Sequence, residues 1–190
     1  MIVFRRDPLL ERVSFAMCNY RKVSKALCGV TLLLSVLLLS ACVTTTPVDL
    51  SKINMNDITL DVSHMGETLL AALTFDDSLV PMEEEIAAEV YGVAGLYNTI
   101  AVYGSTGATA EVLLILRCDS ATDAEAAEAR LATYRDEMAA VYADYNTVES
   151  EKLTDAVLEC EGRYVLFCVS PDPDAVSEAY RAYVVDSLKK

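Results

Sequence analysis

Apolar residues after residue 60 of this chain follow two different patterns. In residues 61–73 and 122–145 they return every three or four positions, which is the period of a helix with one buried side. Runs rich in Val, Ile, Leu and Tyr, which are typical of β-strands, occupy residues 97–103, 111–118, 156–160 and 164–169. The pattern therefore predicts a mixture of helices and strands.

Turn-forming residues separate the predicted strands in pairs. Gly104-Ser105-Thr106-Gly107 lies between the first two, and Glu161-Gly162-Arg163 lies between the last two. Such short polar connections predict two β-hairpins. Residues 164–169 are apolar on both faces, which indicates a central strand.

Helix signals mark three further boundaries. Pro81 is expected to begin a second helix, which Gly92 ends, and Asp172-Pro173 begins the last one. Thr122 and Glu125 have the spacing of a capping box for the helix of residues 122–145. The predicted order is α-α-β-β-α-β-β-α, which is a two-layer α+β domain with a mainly antiparallel sheet of about four strands.

The N-terminal region has a different pattern. A predominantly apolar run of fourteen residues, Ala26 to Leu39, follows a stretch that contains Arg21, Lys22 and Lys25. As a helix the run measures roughly 21 Å, which is too short for a comfortable bilayer crossing and typical of a signal peptide. A permanent signal anchor is the less favoured alternative.

Leu39-Ser40-Ala41-Cys42 closes the apolar run and resembles the lipobox of bacterial lipoproteins. We expect cleavage between Ala41 and Cys42 and lipidation of the Cys42 thiol, which would attach the protein to the membrane. The organisation predicted is a signal peptide at 1–41, a lipidated N-terminus and tether at 42–56, and a single α+β domain at 57–190. Translation starting at Met17 would give a leader of ordinary length.

Charge excludes several classes of partner. Residues 42–190 contain nine Lys or Arg and twenty-seven Asp or Glu, a net charge of −18. Such a surface repels phosphate backbones and anionic headgroups, so nucleic acid is not an expected partner and the lipid would hold the protein at the membrane. Because hydrophobic residues make up 53% of the whole chain, a folded domain is expected rather than an acidic disordered tail.

Three cysteines, Cys118, Cys160 and Cys168, lie within the predicted domain. All three occur in apolar strand-like runs, where buried free cysteine is common, and they form no CxxC pair. Buried thiols are favoured, and one disulfide with one free thiol is the alternative. No zinc or other metal site is predicted.

The candidate chemical groups have simpler structural interpretations. His64, the only histidine, is expected on a helix surface, and the S-x-x-K spacing of Ser187 to Lys190 falls at the end of the last helix. Ser105 lies outside any GxSxG elbow. No catalytic residue and no cofactor is predicted.

Two aspartate pairs could supply oxygen ligands to calcium, but turn and helix-cap roles are favoured. These pairs are Asp76-Asp77 and Asp172 with Asp174. The nine tyrosines after residue 42 are assigned to packing by default, with stacking on sugars or a binding surface as the alternative.

Several segments in order resemble one bacterial family. They are Phe75 with Leu79, Tyr91-Gly92, Tyr145-Asn146 after the long helix, and residues 162–167 before Ser170-Pro171-Asp172. In this order behind a lipobox they are similar to the lipoproteins called domain of unknown function 4358. The resemblance implies a Gram-positive envelope lipoprotein, and it implies no activity, substrate or catalytic residue.

The function expected is therefore a non-enzymatic binding or accessory module, anchored through Cys42 on the extracytoplasmic face of the cell membrane. Its ligand would be an envelope protein or peptide. The alternatives are an envelope hydrolase that acts on cell-wall material through an unrecognised carboxylate site, and a structural accessory subunit with an exposed apolar patch.

Overall fold

One five-stranded antiparallel sheet organises the computed structural model, which describes residues 53–189. The strands lie in the order β1-β2-β3-β5-β4. Their bounds are Val80–Pro81 (β1), Thr99–Gly104 (β2), Val112–Arg117 (β3), Val157–Glu161 (β4) and Tyr164–Val169 (β5). The leader, Met17, Cys42 and residues 42–52 of the tether lie outside the described residues, as does Lys190.

Five α-helices accompany the sheet, and a short 3-10 helix, Met55–Asp57, precedes them. The α-helices are Val62–Ala72 (α1), Glu84–Val90 (α2), Ala121–Ala143 (α3), Thr147–Thr154 (α4) and Pro173–Ser187 (α5). The α+β class and the antiparallel sheet are confirmed. Among residues 53–189, no helix is both long and apolar enough to cross a bilayer.

Both predicted hairpins form. Ala101 of β2 lies opposite Ile115 of β3, and Cys160 of β4 lies opposite Val165 of β5. Gly162 has a φ of 61° in the two-residue turn between β4 and β5, a conformation that glycine adopts without steric cost. β5 also pairs with β3, so it is the central strand that its apolar sequence predicted.

Helices cover both faces of the sheet, which makes three layers where two were expected. The closed face is the side covered by α1 and α5, and its strand residues include Leu113, Ile115 and Leu166. The cleft face is the side covered by α2, α3 and α4, and it includes Leu114, Val165 and others. Successive side chains of a strand point to opposite faces of the sheet, and β3 and β5 present apolar side chains to both faces. Both faces therefore need a layer of helices to bury them.

On the closed face, α1 lies directly on the sheet. Met65 and Leu69 of α1 are fully buried there, as is Val184 of α5. Gly66 allows this approach, because a Cβ atom at Gly66 would lie 2.8 Å from the Tyr103 ring. Burial of each large apolar side chain stabilises the fold by roughly 1.5–3 kcal/mol.

The folded region begins before Asp57. Met55 is buried over the β4–β5 turn, and the Asn56 carbonyl accepts a 2.9 Å hydrogen bond from Arg163. Tyr164 accepts from the Leu60 N–H at 2.8 Å and donates to the Ile58 carbonyl at 3.0 Å. These contacts hold residues 55–60 against the second hairpin.

Two predicted helix starts were wrong. Pro81 lies in β1, opposite Tyr103, and α2 begins only at Glu84. Ser120, not Thr122, caps α3, because its hydroxyl accepts the Asp123 N–H at 3.1 Å. Pro81 can begin a helix or lie in an edge strand, and the pairing of β1 with β2 decides for the strand. Ser120 and Thr122 can each cap a helix, and the hydrogen bond from the Asp123 N–H identifies Ser120 as the cap.

The structure also contains two elements that were not predicted, β1 and α4. The α4 sequence has few apolar residues, so it has no helical stripe to detect. Other predicted boundaries are confirmed: Gly92, with φ of 68°, follows α2, and Asp172 caps α5 by accepting the Ala175 N–H at 3.0 Å.

Candidate functional site

A cleft of about 160 Å³ opens on the cleft face between the helices and one end of the β2–β3 hairpin. Its apolar and aromatic lining consists of Met82, Tyr91, Tyr134, Met138, Tyr142 and Leu153. The hairpin contributes Gly104, Ser105, Thr109, Ala110 and Glu111. The cleft therefore has an apolar and aromatic wall on the helix side and a polar end at the hairpin, and ligand sites commonly combine the two.

Aromatic side chains form the inner wall of the cleft. The rings of Tyr91 and Tyr134 meet edge to face, with centroids 4.7 Å apart, and both contact Phe167 beneath them. Burial raises the pKa of Tyr91 well above its usual range, and Tyr134 adds to this effect. Both phenols stay protonated at neutral pH, and their hydroxyls are hydrogen-bonded to each other.

The long helix α3 extends beyond the core that it helps to form. Its apolar stripe is fully buried at Ala124, Ala127 and Leu131. The same stripe continues towards the C-terminus, yet Val141 is 52% exposed and Tyr145 is 68% exposed. Periodicity predicted that both lie on the buried side of this helix, and for these two residues the prediction was wrong. Tyr145 lies just after the helix, which ends at Ala143.

A buried lysine joins three chain segments next to the cleft. The Nζ atom of Lys152, on α4, lies 2.7 Å from Asp76, 3.1 Å from Glu111 and 3.0 Å from Glu149. We call these four residues the lysine cluster. The Glu111 side chain is fully buried, and that of Lys152 is 8% exposed. The Asp76 side chain is 60% exposed, so water reaches Asp76 but not the Glu111 charge.

Backbone amides complete the lysine cluster. Glu111 accepts the N–H groups of Asp76 at 3.0 Å and Asp77 at 2.9 Å, and Glu149 accepts that of Ala110 at 2.8 Å. Burial lowers the pKa of Lys152, but the hydrogen bonds that Lys152 donates to the three carboxylates more than offset this and raise the pKa above its usual range. Lys152 therefore stays positively charged.

Asp77 closes the β2–β3 turn from outside the sheet. Its carboxylate accepts hydrogen bonds from the Ser105 hydroxyl at 2.7 Å, the Thr106 hydroxyl at 2.8 Å and the Thr106 N–H at 2.9 Å. The side-chain bonds from Ser105 and Thr106, followed by the Ser78 N–H, lower its pKa to about 2. The turn role predicted for Asp77 is confirmed, whereas Asp76 forms an ion pair.

The charged groups beside the cleft are poorly suited to take up a proton. A carboxylate with a pKa of about 2 is a weak base at neutral pH, and a lysine with a raised pKa is not a base at all. Ser105 donates a hydrogen bond to Asp77 and accepts the Thr109 N–H at 3.1 Å, so its hydroxyl organises the turn.

Other predicted residues lie away from the cleft. His64 is on the surface of α1, with Nδ1 3.0 Å from the Tyr183 hydroxyl, as expected. Ser187 donates to the Tyr183 carbonyl at 2.9 Å within α5. Asp172 and Asp174 lie at the start of α5, where Asp172 has the predicted cap role. Residues 53–189 contain no group of side chains arranged to hold a metal ion.

The three thiols are free, as favoured from the sequence. Cys118 and Cys168 are buried, and Cys160 is partly buried. Burial is the largest cause that raises the pKa of both Cys118 and Cys160 to about 11, and it also raises that of Cys168. Such thiols react slowly, which agrees with a packing role.

A family profile for a domain of unknown function, DUF4358, matches residues 74–170, about half of the chain. The chain belongs to the DUF4358 family. The matched DUF4358 region runs from just before Asp76 to just after β5, so it contains the lysine cluster, Asp77 and the whole cleft lining. α1 and α5, which cover the closed face, lie outside the matched region. No curated protein and no solved structure matches this chain.

Reasoning from the sequence did not find the lysine cluster. Glu111 and Lys152 are 41 residues apart, and nothing in either local pattern indicates that they meet. The available signal was weak: Glu111 directly precedes an apolar strand, and Lys152 is the only basic residue between Arg135 and Arg163. One cation in so acidic a region needs a partner, but the sequence does not say which.

Proposed function

We propose that this DUF4358 protein is a lipid-anchored binding module of the bacterial cell envelope. In this proposal, lipid on Cys42 holds the domain at the extracytoplasmic face of the cell membrane, and the domain binds its ligand at the cleft. The lipobox at Leu39-Ser40-Ala41-Cys42 supports the anchor. The cleft supports binding and carries the proposal, and exposed Tyr145 lies next to Tyr142 of its lining.

Binding is favoured over hydrolysis because of how the polar groups beside the cleft are used. Hydrogen bonds within the protein already engage the polar groups of Asp77, Ser105 and Lys152. A hydrolase needs a group that can accept a proton near neutral pH beside its substrate. The apolar lining and the exposed aromatic ring of Tyr145 instead supply contact area for a bound partner.

The anchor is tested by growing a lipoprotein-processing bacterium with labelled palmitate. We expect label in the full-length protein and in Cys118→Ser, but not in Cys42→Ser. The Cys42→Ser protein should also leave the membrane fraction or remain as the uncleaved precursor. Equal labelling of Cys42→Ser and the wild type would contradict the anchor.

The binding face is tested with a photo-crosslinking amino acid in intact cells. We place p-benzoylphenylalanine at Tyr145 beside the cleft and, as a matched control, at Leu188, which is 42% exposed at the end of α5. A crosslinked adduct from position 145 and none from position 188 supports binding at the cleft face. Identical products from both positions, or no product from either, would count against it.

A further inference from the structure

The cleft is too small for most free small-molecule ligands but fits a side chain. Sites for drug-sized ligands measure roughly 300–1,000 Å³, whereas this cleft measures about 160 Å³. Macromolecular partners often insert one or two large apolar side chains into pockets and surround them with flatter contacts. The size of the cleft therefore favours an anchoring side chain of a larger partner.

Apolar surface for flatter contacts continues outward from the cleft. Met138 and Tyr142 of α3 line it, and Val141 lies between them on the same helix. Tyr145 lies just after the end of α3, with its ring centroid 5.1 Å from that of Tyr142. Val148, in the first turn of the next helix, is 58% exposed. We call the exposed residues Val141, Tyr145 and Val148 the stripe, and they offer apolar area to a bound segment.

Both chain segments that border the cleft are acidic. Residues 82–91, on and around α2, contain four glutamates and no basic residue. Residues 136–151, at the end of α3 and the start of α4, contain five acidic residues and no basic residue. The next cation, Lys152, is already surrounded by three carboxylates. We call these two acidic segments the rim of the cleft, and they attract positive charge.

A second copy of this chain is a poor occupant. Pairing two copies through the cleft face would bring these acidic segments together, and like charges across an interface oppose association. A basic partner gains attraction from the rim and burial of apolar area from the stripe. Charge complementarity thus selects between the two occupants.

We infer that the cleft of this DUF4358 protein binds a basic, partly apolar peptide segment of another protein, which places an apolar side chain between α2 and α3 and its cations beside the acidic rim. This inference rests on the proposed function, because it names the ligand class of the same cleft. Its mode is the docking of an amphipathic segment in an apolar groove.

The test measures peptide binding by fluorescence anisotropy, with the full-length protein in phosphatidylcholine vesicles and protein-free vesicles as a blank. The probe is a short labelled peptide of Leu and Lys. Its matched probes replace Lys with Glu in one and Leu with Ser in the other. We expect the Leu-Lys peptide to bind at least roughly tenfold more tightly than either matched probe, because each lacks one of the two attractions.

Two pairs of variants locate the binding. The double variant Val141→Ser, Tyr145→Ser should bind the Leu-Lys peptide roughly tenfold more weakly, whereas Leu188→Ser, an exposed apolar residue on α5, should bind it like the wild type. Glu85→Gln with Glu89→Gln should weaken binding at low salt and have less effect at high salt, and Glu178→Gln on α5 should not. All these positions are exposed, and circular dichroism verifies the fold.

Several outcomes would overturn the inference. Equal binding of the Leu-Lys and Leu-Glu peptides would show that charge does not select the ligand, and equal effects of the cleft and α5 variants would place binding elsewhere. Self-association of the protein that is lost in the Val141, Tyr145 double variant would assign the stripe to a second copy. If the peptides fail while position 145 still crosslinks to a lipid or glycan, the proposed function stands and this inference falls.

Discussion

The closed face and the cleft face of the sheet begin from similar strands and are covered differently. On the closed face, α1 and α5 bury apolar side chains along their whole lengths, and the first residues of the domain pack beside them. On the cleft face, Leu131 of α3 is fully buried, whereas Tyr145, just after the end of α3, is 68% exposed. The cover of the cleft face is therefore less complete than that of the closed face.

Charge is distributed in a correspondingly different way. Lys152, which lies beside the cleft, is the only buried lysine among residues 53–189. The carboxylates around it include the fully buried Glu111. The comparison teaches that the closed face is held by packing, whereas the cleft is shaped by a charged cluster that fixes the loops around it. The two faces should therefore fail in different ways when they are mutated.

The largest effect is expected from Lys152→Met. This change leaves Glu111 and Glu149 buried beside Asp76 without their cation, and removal of one partner from a buried ion pair costs about 3–5 kcal/mol. Urea unfolding followed by circular dichroism measures the loss. Arg135→Met removes an exposed pair with Asp136 and should cost less than about 1 kcal/mol. Equal losses would show that the cluster does not hold the cleft together.

The next largest effect contrasts packing on the two faces. Leu69→Ala, on the closed face, removes a fully buried side chain and should lower the free energy of unfolding by about 2–5 kcal/mol. Val141→Ala, on the uncovered part of α3, should change it by no more than about 0.5 kcal/mol. A large decrease in the free energy of unfolding of Val141→Ala would mean that the protein itself buries Val141. The description of this side chain as exposed would then be wrong.

A smaller effect is expected where the closed face uses hydrogen bonds. Tyr164→Phe leaves the buried Leu60 N–H and the Ile58 carbonyl without their partner, which should cost about 1–3 kcal/mol. Tyr145→Phe removes an exposed hydroxyl beside the cleft and should be nearly neutral. Thermal unfolding of the two variants side by side checks this, and the opposite ranking would contradict it.

The smallest effect is a pH dependence of the turn beside the cleft. The pKa of Asp77 is about 2 in the folded protein and about 3.8 when unperturbed, so its stabilising effect is present above about pH 4 and is lost as the pH falls through about 2. Asp77→Asn should therefore unfold at a lower temperature than the wild type at neutral pH. The difference should shrink between about pH 4 and about pH 2.

Thermal unfolding across this pH range measures the difference, and Asp119→Asn, at an exposed aspartate just before α3, serves as the control. The control should follow the wild type at each pH. A gap between Asp77→Asn and the wild type that stays constant down to pH 2 would show that the carboxylate is not held by Ser105 and Thr106.

Much of the fold could be predicted because its elements carry local signals. The two hairpins, the central position of β5 and the start of α5 at Pro173 all follow from short patterns, since turns and caps depend on neighbouring residues. β1 could not be predicted, because two residues exist as a strand only through pairing with β2. α4 could not be predicted either, because its helix is held by contacts with α3 rather than by an apolar stripe of its own.

The candidate site was harder to predict than the fold. Glu111 looked like one carboxylate among twenty-seven, and its burial depends on Lys152, which follows it by 41 residues. Tyr145 was assigned to the core because helical periodicity reports which side of a helix is apolar, but not where its cover ends. Periodicity therefore predicts which side of the helix is apolar, but it does not predict which residues on that side are exposed.

Pro81 has a further consequence for how this protein meets other molecules. It lies on the edge strand β1, which is only two residues long, and a proline has no N–H with which to hydrogen-bond an added strand. At the opposite border, β4 carries Glu159 and Glu161, which discourage an approaching strand by their charge and solvation. Both borders thus resist growth of the sheet by strand addition, so crowded copies should remain separate molecules rather than join edge to edge.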